Sequence, residues 1–278
     1  MADMVRIALA QFAVTDSLQE NLARGTIMAE QAAMKGARFI GYTELAFRPF
    51  FPQVRWEKAY FDWAETLDGP TVSHFLKVAK ANQIDCAINF FEKAGRGRFC
   101  DTTVICRVNG DVLGPIRMVH VAEEPGYNEK FYYWAGDTPP TVWDLGYMNI
   151  GVAICYDRHF PEYTRPLVLQ GADLIFSPFA GMEADPMDLY EVEMRGLAFQ
   201  NQVYVACVNR VGEEQLSTFA GGSFVVDPEG QVVERAPRGE SHLLICDLDL
   251  ERIDKCRVKR PFLRDRRPDF YRRFENWV

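Results

Sequence analysis

The sequence predicts a mixed-sheet α/β protein that folds as one domain. Strand-like apolar runs alternate with helix-like segments, two hairpins interrupt the alternation, and no Pro/Ser-rich linker or low-complexity stretch divides the chain. The 278 residues are 48% hydrophobic and 25% charged, which supplies a large core and excludes an intrinsically disordered chain. Periodicity leaves two arrangements open, a sandwich of two sheets between helix layers and an open doubly wound sheet.

The first part of the chain reads as two rounds of strand and helix followed by a hairpin. The predicted elements are a strand at 5–10, a helix after residue 17, a strand at 38–42, a helix at 71–81, a strand at 84–91, a polar loop at 93–98, and hairpin strands at 102–107 and 112–118. The first helix places Leu22, Met28 and Ala32 on one side, and Gly36 ends it. An Asn-Gly-Asp turn at 109–111 joins the hairpin strands.

The second part repeats the alternation after a long aromatic-rich connection. The predicted elements are a strand at 148–155, a helix at 161–170, a strand at 172–176, a helix at 187–201, a strand at 204–209, hairpin strands at 222–226 and 231–235, and a strand at 242–248. About a dozen strands of this kind fit a two-sheet sandwich.

The net charge of −8 argues against a nucleic-acid partner, since such proteins carry a basic footprint. The exception is local, because residues 255–273 hold many Lys and Arg. Asp residues, Pro268 and aromatic residues are interleaved with them. We therefore predict a main domain at 1–255 and a basic, aromatic C-terminal tail at 256–278 that packs on that domain or on a partner subunit.

The seven cysteines predict reduced thiols rather than disulfides, because their number is odd and no pair has CxxC spacing. With four His and no His/Cys cluster, we expect no metal site and no cofactor. No apolar run approaches the roughly 20 residues that cross a bilayer, and the N-terminus lacks the pattern of a signal peptide. The expectation is a soluble, cytoplasmic protein without a membrane partner.

Cys155 is the strongest candidate for chemistry, because an apolar strand leads into it and polar residues and a helix start follow. Ligands of α/β proteins bind at such strand ends, and backbone N–H groups from Tyr156 onward could serve an oxyanion. A thiol needs a base, for which His120, His159 and the strand-end acid Glu44 are candidates. The plainer alternative is a structural cysteine at a strand end.

Several motifs resemble those of the nitrilase superfamily of carbon–nitrogen hydrolases. Residues 42–45 (Tyr-Thr-Glu-Leu) are similar to its strand-end glutamate motif, and residues 154–157 with 160–162 to its nucleophile motif. Further collinear motifs extend over essentially the whole chain, at 125–131, 177–179, 208–212, 221–224 and 264–268. The variants look most like those of N-carbamoyl amine and β-ureido acid hydrolases.

This resemblance implies a single-domain, four-layer αββα sandwich of two mixed sheets that usually forms a homodimer or higher homo-oligomer. It also implies hydrolysis of small-molecule amides or N-carbamoyl compounds through an acyl-enzyme. By position, Cys155 is the nucleophile, Glu44 the general base and Glu129 a second, supporting glutamate. Met118 stands where the family has its catalytic lysine.

The absence of a lysine at position 118 predicts impaired catalysis. Loss of one oxyanion donor typically costs about 100- to 1000-fold in turnover. Without the ammonium group, two glutamates and a thiolate have no cation among them, so either the pKa of Cys155 rises or a glutamate keeps its proton. Three explanations stay open: an engineered inactive variant, a natural member with altered or lost chemistry, or recruitment of another cation, for which His120 and Lys130 are candidates.

The candidate substrate-binding residues are Arg158, Tyr156 and Trp134. The Arg158 guanidinium could pair with a substrate carboxylate, or form a salt bridge at the rim; Tyr127 and Phe131 could line the pocket or the core. The leading hypothesis is therefore a cofactor-free carbon–nitrogen hydrolase. A catalytically silent binding or scaffold protein is the alternative, and a redox thiol protein is less well supported because no second cysteine lies near Cys155 in sequence.

Overall fold

The computed structural model describes residues 4–277, which form sixteen strands and seven α-helices. The strands are β1 (Met4–Gln11), β2 (Phe39–Tyr42), β3 (Asp85–Gly95), β4 (Arg98–Cys106), β5 (Val112–Arg117), β6 (Glu123–Glu124), β7 (Tyr127–Asn128), β8 (Val142–Asp144), β9 (Asn149–Val152), β10 (Leu174–Phe179), β11 (Tyr204–Asn209), β12 (Val211–Glu214), β13 (Ser217–Ala220), β14 (Phe224–Val226), β15 (Val232–Arg235) and β16 (His242–Asp249). The helices are α1 (Leu18–Met34), α2 (Pro70–Asn82), α3 (Glu129–Tyr132), α4 (Pro161–Leu169), α5 (Met187–Asn201), α6 (Glu251–Lys259) and α7 (Pro268–Tyr271).

Twelve of these strands form two six-stranded mixed sheets. The first has the order β16-β1-β2-β3-β4-β5 and the second β15-β14-β11-β10-β9-β8. In each sheet three neighbouring strands are parallel, β1-β2-β3 in the first and β9-β10-β11 in the second. Their carboxyl ends therefore meet at one edge of each sheet, where α/β proteins bind ligands.

The two sheets pack face to face. Gly41 on β2 has no side chain, and the ring of Phe176 on β10 occupies the space, 2.2 Å from where a Cβ of residue 41 would lie. The Phe39 ring packs edge-on against the same Phe176 ring at 5.6 Å between centroids. This close approach determines the position of the carboxyl end of β2 relative to the carboxyl end of β9.

Helices cover the two outer faces. On the first sheet, α1 and α2 bury an apolar stripe that includes Leu22, Ala29 and Phe75. On the second, α5 packs on β11 and β14, and Leu167 of α4 lies 3.0 Å from where a Cβ of Gly151 on β9 would be. The result is the four-layer αββα sandwich, which confirms the predicted fold class and excludes the open doubly wound sheet.

Most predicted elements are present, and four regions differ. The predicted polar loop at 93–98 is a strand hairpin, because β3 and β4 continue past the sheet to a tight turn at Gly97, where φ is +66°. The strand predicted at 148–155 ends at Val152. The β12–β13 hairpin and α6 were not predicted, since both are short and mostly polar.

Helix α6 runs across the predicted boundary between residues 255 and 256, and its Ile253 and Cys256 are buried. Beyond it, the Gln202 side chain donates hydrogen bonds to the carbonyls of Cys256 and Arg260, at 2.7 and 2.5 Å. Of the predicted tail, residue 278 lies outside the described residues. All seven cysteines fall within the described range and are buried and unpaired. Among the helices of residues 4–277, none has both the length and the apolar character needed to cross a membrane.

Candidate active site

Cys155 lies at a sharp turn after β9. It opens a 3₁₀ turn with φ +44°, in the left-handed region that costs a non-glycine residue about 1–2 kcal/mol. Two hydrogen bonds hold the turn: the Asp157 N–H donates to the Ile154 carbonyl at 2.8 Å, and Arg158 Nη1 donates to the Cys155 carbonyl at 2.6 Å. The thiol is therefore held at the carboxyl edge of the second sheet.

Glu44 occupies the corresponding edge of the first sheet, two residues after β2. The Thr43 hydroxyl donates to the Phe179 carbonyl on β10 at 2.7 Å. Nη1 of the buried Arg210 donates to the carbonyls of Glu44 and Leu45, both at 2.8 Å. The second sheet thus fixes the backbone that carries Glu44, and the Glu44 side chain is fully buried.

Glu129 is the first residue of the short helix α3 and is also fully buried. Its Oε2 accepts a hydrogen bond from the Ala122 N–H at 3.2 Å. One ligand atom each from Glu44, Glu129 and Cys155 lies within 4.8 Å of the others. Three segments that are distant in sequence therefore bring together the sulfur and the two acids that the sequence singled out.

Asp101 is a third buried acid at this site, and sequence reasoning missed it. It lies on β4, 1% exposed, and one carboxyl oxygen accepts a hydrogen bond from the Asn89 side chain. The carboxyls of Asp101 and Glu44 are close enough for a shared proton to form a hydrogen bond between them, and without that proton both Glu44 oxygens have no donor among residues 4–277. The available signal was an acid between Cys100 and Thr102 in an apolar strand, where an acid is expected to have a partner.

Met118 directly follows β5 and is 1% exposed. Its N–H donates to the Asp101 carbonyl at 3.0 Å, and its carbonyl accepts from the Gly136 N–H at 2.7 Å. The neighbouring Arg117 is engaged elsewhere, in a two-pronged ion pair with Glu92 at 2.7 Å. Position 118 is thus beside Asp101, and its thioether carries no charge and no donor.

The surroundings favour the neutral form of the Cys155 thiol. Burial raises the pKa of the Cys155 thiol well above its ordinary value, the carboxyls of Glu44 and Glu129 raise it further, and the Arg158 guanidinium opposes them. Burial likewise raises the pKa of Glu44, with the nearby Asp101 and Glu129 carboxyls adding to the shift. Both shifts have the direction predicted from the charge balance, but burial is the larger cause.

The other two acids follow the same pattern. Burial raises the pKa of Asp101 to about 6, although its hydrogen bonds with Glu44 and Asn89 act in the opposite direction. Burial and the Asp101 carboxyl raise the pKa of Glu129. A hydrogen bond between the two carboxyls raises the pKa of Glu44 and lowers that of Asp101.

Arg158 supplies a cation that the charge balance derived from the sequence had left out. Its Nη1 lies 3.9 Å from the Cys155 sulfur, and its guanidinium lies over the rings of Phe179 and Tyr190, 4.7 and 4.8 Å from their centroids. The side chain is 5% exposed. The structure therefore places Arg158 beside the nucleophile and enclosed by aromatic rings.

A cavity of about 720 Å³ is lined by Trp134 and by Tyr156 and Lys130, the sequence neighbours of Cys155 and Glu129, but not by Cys155, Glu44, Glu129 or Arg158 themselves. Its wall also includes Tyr133, whose buried hydroxyl meets no hydrogen-bond partner among residues 4–277. The carboxyls of Asp101, Glu129 and Glu44 and the Cys155 thiol all influence the pKa of Tyr133, which burial raises well above its ordinary value. Tyr133 is thus a shared wall of the cavity and the cluster, which the sequence did not reveal.

The two substitute cations suggested by the sequence also line the cavity. The His120 ring stacks on Phe160, with centroids 3.7 Å apart, and its Nδ1 lies 2.8 Å from an Asp157 carboxylate oxygen. Lys130 is exposed, next to Glu129 in sequence. His159, the other candidate base, contacts the Glu193 carboxylate through Nδ1 at 2.7 Å.

The cluster could also offer ligands to a metal ion. Two carboxylate oxygens and a thiolate sulfur within 4.8 Å of one another match the ligand types of zinc. As a hydrolytic site, the arrangement provides a nucleophile, a neighbouring acid–base group and an adjacent cavity.

Comparisons with known proteins agree with this geometry. The carbon-nitrogen hydrolase family pattern matches residues 6–258. An N-carbamoylputrescine amidase from Oryza sativa subsp. japonica is 35% identical over 283 residues, covering 96% of this chain and 93% of the rice protein. A citrullinase from Francisella tularensis is 32% identical, covering 96% of each chain.

Among solved structures, a carbon-nitrogen hydrolase from Helicobacter pylori G27 superposes with a TM-score of 0.92. It is 28% identical in sequence, and the match covers 99% of both chains. The likeness therefore spans both sheets and every segment that contributes to the cluster around Cys155.

Proposed function

Because the chain belongs to the carbon–nitrogen hydrolase family of the nitrilase superfamily, we propose that it hydrolyses an N-carbamoyl or amide bond of a small molecule through an acyl-enzyme on Cys155. The observation that carries this proposal is the approach of Glu44, Glu129 and Cys155 to within 4.8 Å of one another. The rice relative is named for an N-carbamoyl compound, which supports a substrate of that class.

In the proposed reaction, Glu44 acts as the general base. It takes the proton of Cys155 as the sulfur attacks the carbonyl carbon, and passes it to the leaving nitrogen. It then activates the water that cleaves the thioester and restores the thiol. Glu129, held by the Ala122 N–H, lies within 4.8 Å of the sulfur and is proposed to support the position of the reacting groups.

Met118 is proposed to limit the turnover of neutral substrates. Attack on an amide carbonyl places a negative charge on its oxygen, and position 118 supplies neither a charge nor a donor there. The Tyr156 backbone N–H, directly after the nucleophile, is the proposed remaining donor. We therefore expect neutral amides and N-carbamoyl compounds to be hydrolysed about 100- to 1000-fold more slowly than with a lysine at position 118.

Arg158 and the cavity residues are assigned to binding. Arg158 holds the Cys155 turn and faces the sulfur, so we propose that it positions the nucleophile. An anionic group of the substrate would contact Arg158 only close to the sulfur. Tyr156 and Trp134 are proposed to contact the substrate body from the cavity wall.

The test is ammonia release from a panel of N-carbamoyl compounds and amides, measured for the unmodified protein, for Met118→Lys and for Cys155→Ala. We expect slow release by the first, faster release by the second and none by the third. The rapid turnover of neutral substrates by the chain as given would disprove the role assigned to position 118. If a folded Met118→Lys variant is inert on every compound, a binding or scaffold role replaces the hydrolase proposal.

We further propose that the protein works as a homo-oligomer through its C-terminal segment. Large apolar side chains are exposed on and near that segment, at Val258 (86%), Phe262 and Tyr271, and at Leu169 of α4. Light scattering coupled to size exclusion measures the mass directly. A single species at the monomer mass of 31.8 kDa at micromolar concentration would contradict this proposal.

A further inference from the structure

The cluster around Cys155 has an excess of groups that become anionic. The buried carboxyls of Glu44 and Glu129 lie near the thiol, and the buried carboxyl of Asp101 lies beside Glu44. Both Glu44 oxygens, Asp101 Oδ2 and Glu129 Oε1 meet no N–H or hydroxyl donor within residues 4–277. Buried carboxyl oxygens without donors are costly, so this arrangement calls for protons or for a cation.

The described side chains supply one cation at this place. Arg158 lies 3.9 Å from the sulfur, but its Nη1 already donates to the Cys155 carbonyl and its plane is covered by two aromatic rings. If all three carboxyls and the thiol ionise, the cluster carries four negative charges, and this one guanidinium is close to the thiol alone. Met118, buried beside Asp101, contributes none.

A planar cation would complement these acids. Guanidinium and amidinium groups donate parallel N–H bonds to carboxylates in a two-pronged geometry. The adjoining cavity is lined largely by aromatic rings, among them Phe61, Phe99, Trp134 and Tyr156, and aromatic faces attract cations. Tyr133 links this cavity to the cluster.

We propose that the substrate of this site carries a guanidinium or amidinium group, whose own positive charge takes the place of a resident cation. The inference rests on the proposed function, since it keeps the same nucleophile and the same acids. The difference lies in the substrate: the group that the thiol attacks is a cationic guanidinium or amidinium, in place of the neutral amide or N-carbamoyl group.

The reaction balances without any further reactant than water. Cys155 loses its proton to a carboxylate and its sulfur bonds to the central carbon, while the C=N electron pair moves onto nitrogen. That nitrogen accepts the proton and leaves as ammonia, which gives a thiouronium (from guanidinium) or thioimidate (from amidinium) on Cys155. Water then adds to the carbon, the C–S bond breaks, and the products are a urea or an amide, ammonium and the restored thiol.

This chemistry explains why the site can function without the ammonium group. Attack by a thiolate on a cationic carbon centre neutralises charge, so no oxyanion forms in the first step. The same carboxyls that oppose a developing oxyanion stabilise a bound cation. Position 118 is then suited to a cationic substrate and unsuited to a neutral one.

The experiment compares butylguanidinium with butylurea, which have the same shape and differ in the charge of the reacting group. We expect kcat/KM for ammonia release to be at least about 30-fold higher for butylguanidinium, the range set by loss of a buried charge partner. Calorimetry on Cys155→Ala should show the same preference in Kd, which separates binding from turnover. Met118→Lys should reverse the preference, whereas Met34→Lys, at a position that is 80% exposed, should leave it unchanged.

The other outcomes are distinct. A preference for butylurea in the chain as given overturns this inference and leaves the proposed function intact. If neither compound releases ammonia nor modifies Cys155, this inference fails, and the proposed function fails with it only if a folded Met118→Lys variant is also inert on the panel of N-carbamoyl compounds and amides. Stoichiometric binding of Zn²⁺ alone to the protein after EDTA treatment, without affinity for butylguanidinium, would replace a substrate cation with a metal ion and also overturn the inference.

Discussion

At the scale of single residues, the ionisation of Cys155 is the most direct consequence of the carboxyl cluster. Burial and the neighbouring acids raise the pKa of its thiol, so the reactive thiolate is scarce near neutral pH. We predict that the rate of Cys155 alkylation by iodoacetamide rises with pH with a midpoint above about 8.5, the value of a free cysteine. Peptide mass spectrometry distinguishes Cys155 from the other six cysteines.

Met118→Lys is the matched variant for this measurement. An ammonium group beside the acids stabilises the thiolate and lowers the midpoint, whereas the exposed Met34→Lys leaves it in place. A midpoint below about 8.5 in the chain as given would show that another group already compensates the acids.

Asp101 makes the stability of the fold depend on pH. Its pKa is raised to about 6 by burial, above the value of about 3.9 in an unfolded chain. Between these values the folded state binds more protons than the unfolded state, so the free energy of unfolding falls as pH rises from about 4 to about 6.

Asp101→Asn removes this titration while Asn keeps an oxygen for the Asn89 hydrogen bond. We predict that the variant is more stable than the unmodified chain at pH 7, by up to about 3 kcal/mol, and that the difference shrinks toward pH 4. Urea unfolding across this range measures it, with the exposed Asp16→Asn as the control. A difference in stability between Asp101→Asn and the unmodified chain that stays constant with pH would refute the raised pKa of Asp101.

At the scale of elements, the packing of β2 on β10 determines where Glu44 and Cys155 meet. A Cβ at position 41 would lie 2.2 Å from Phe176, whose ring is itself fully buried and cannot withdraw. We predict that Gly41→Ala destabilises the fold by about 1–3 kcal/mol. Urea or thermal unfolding gives the value.

Gly196→Ala is the control for this substitution. Gly196 lies within α5, and a Cβ there would meet nothing within 4 Å, so alanine should stabilise the helix by up to about 1 kcal/mol. Equal stability of the two variants would mean that the sheets are not held as closely as the structure shows.

The turn at Cys155 is a feature that secondary-structure prediction from local sequence patterns does not supply. Apolar periodicity continues from β9 through Ile154, which favours a strand up to the cysteine. The strand ends at Val152, and the left-handed φ at Cys155 depends on Arg158 and on the neighbouring strand β10, whose Phe176 carbonyl accepts the Ala153 N–H at 2.9 Å. Such non-local contacts are absent from a local pattern.

At the scale of the whole molecule, the sequence predicts the architecture well and singles out three distant residues, Glu44, Glu129 and Cys155, that the fold brings together. Local periodicity is sufficient for long amphipathic helices such as α1 and for apolar strands such as β11. The approach of Asp101 to Glu44 could not be predicted from the sequence, because it depends on the spacing between strands. The position of Tyr133 could not be predicted either, because it depends on a loop that folds back over the sheet edge. Arg158 was anticipated as a site residue, but its place between two aromatic rings was not.

Cys155, within a cluster of buried acids, is proposed as the nucleophile of a carbon–nitrogen hydrolase. Intact-protein and peptide mass spectrometry after rapid acid quenching of the reaction, with a substrate that releases ammonia, tests this role. We predict a covalent adduct on Cys155 that forms before ammonia release reaches its steady rate, and no adduct or ammonia with Cys155→Ala. Ammonia release by Cys155→Ala at the unmodified rate, or an adduct on another cysteine, would contradict it.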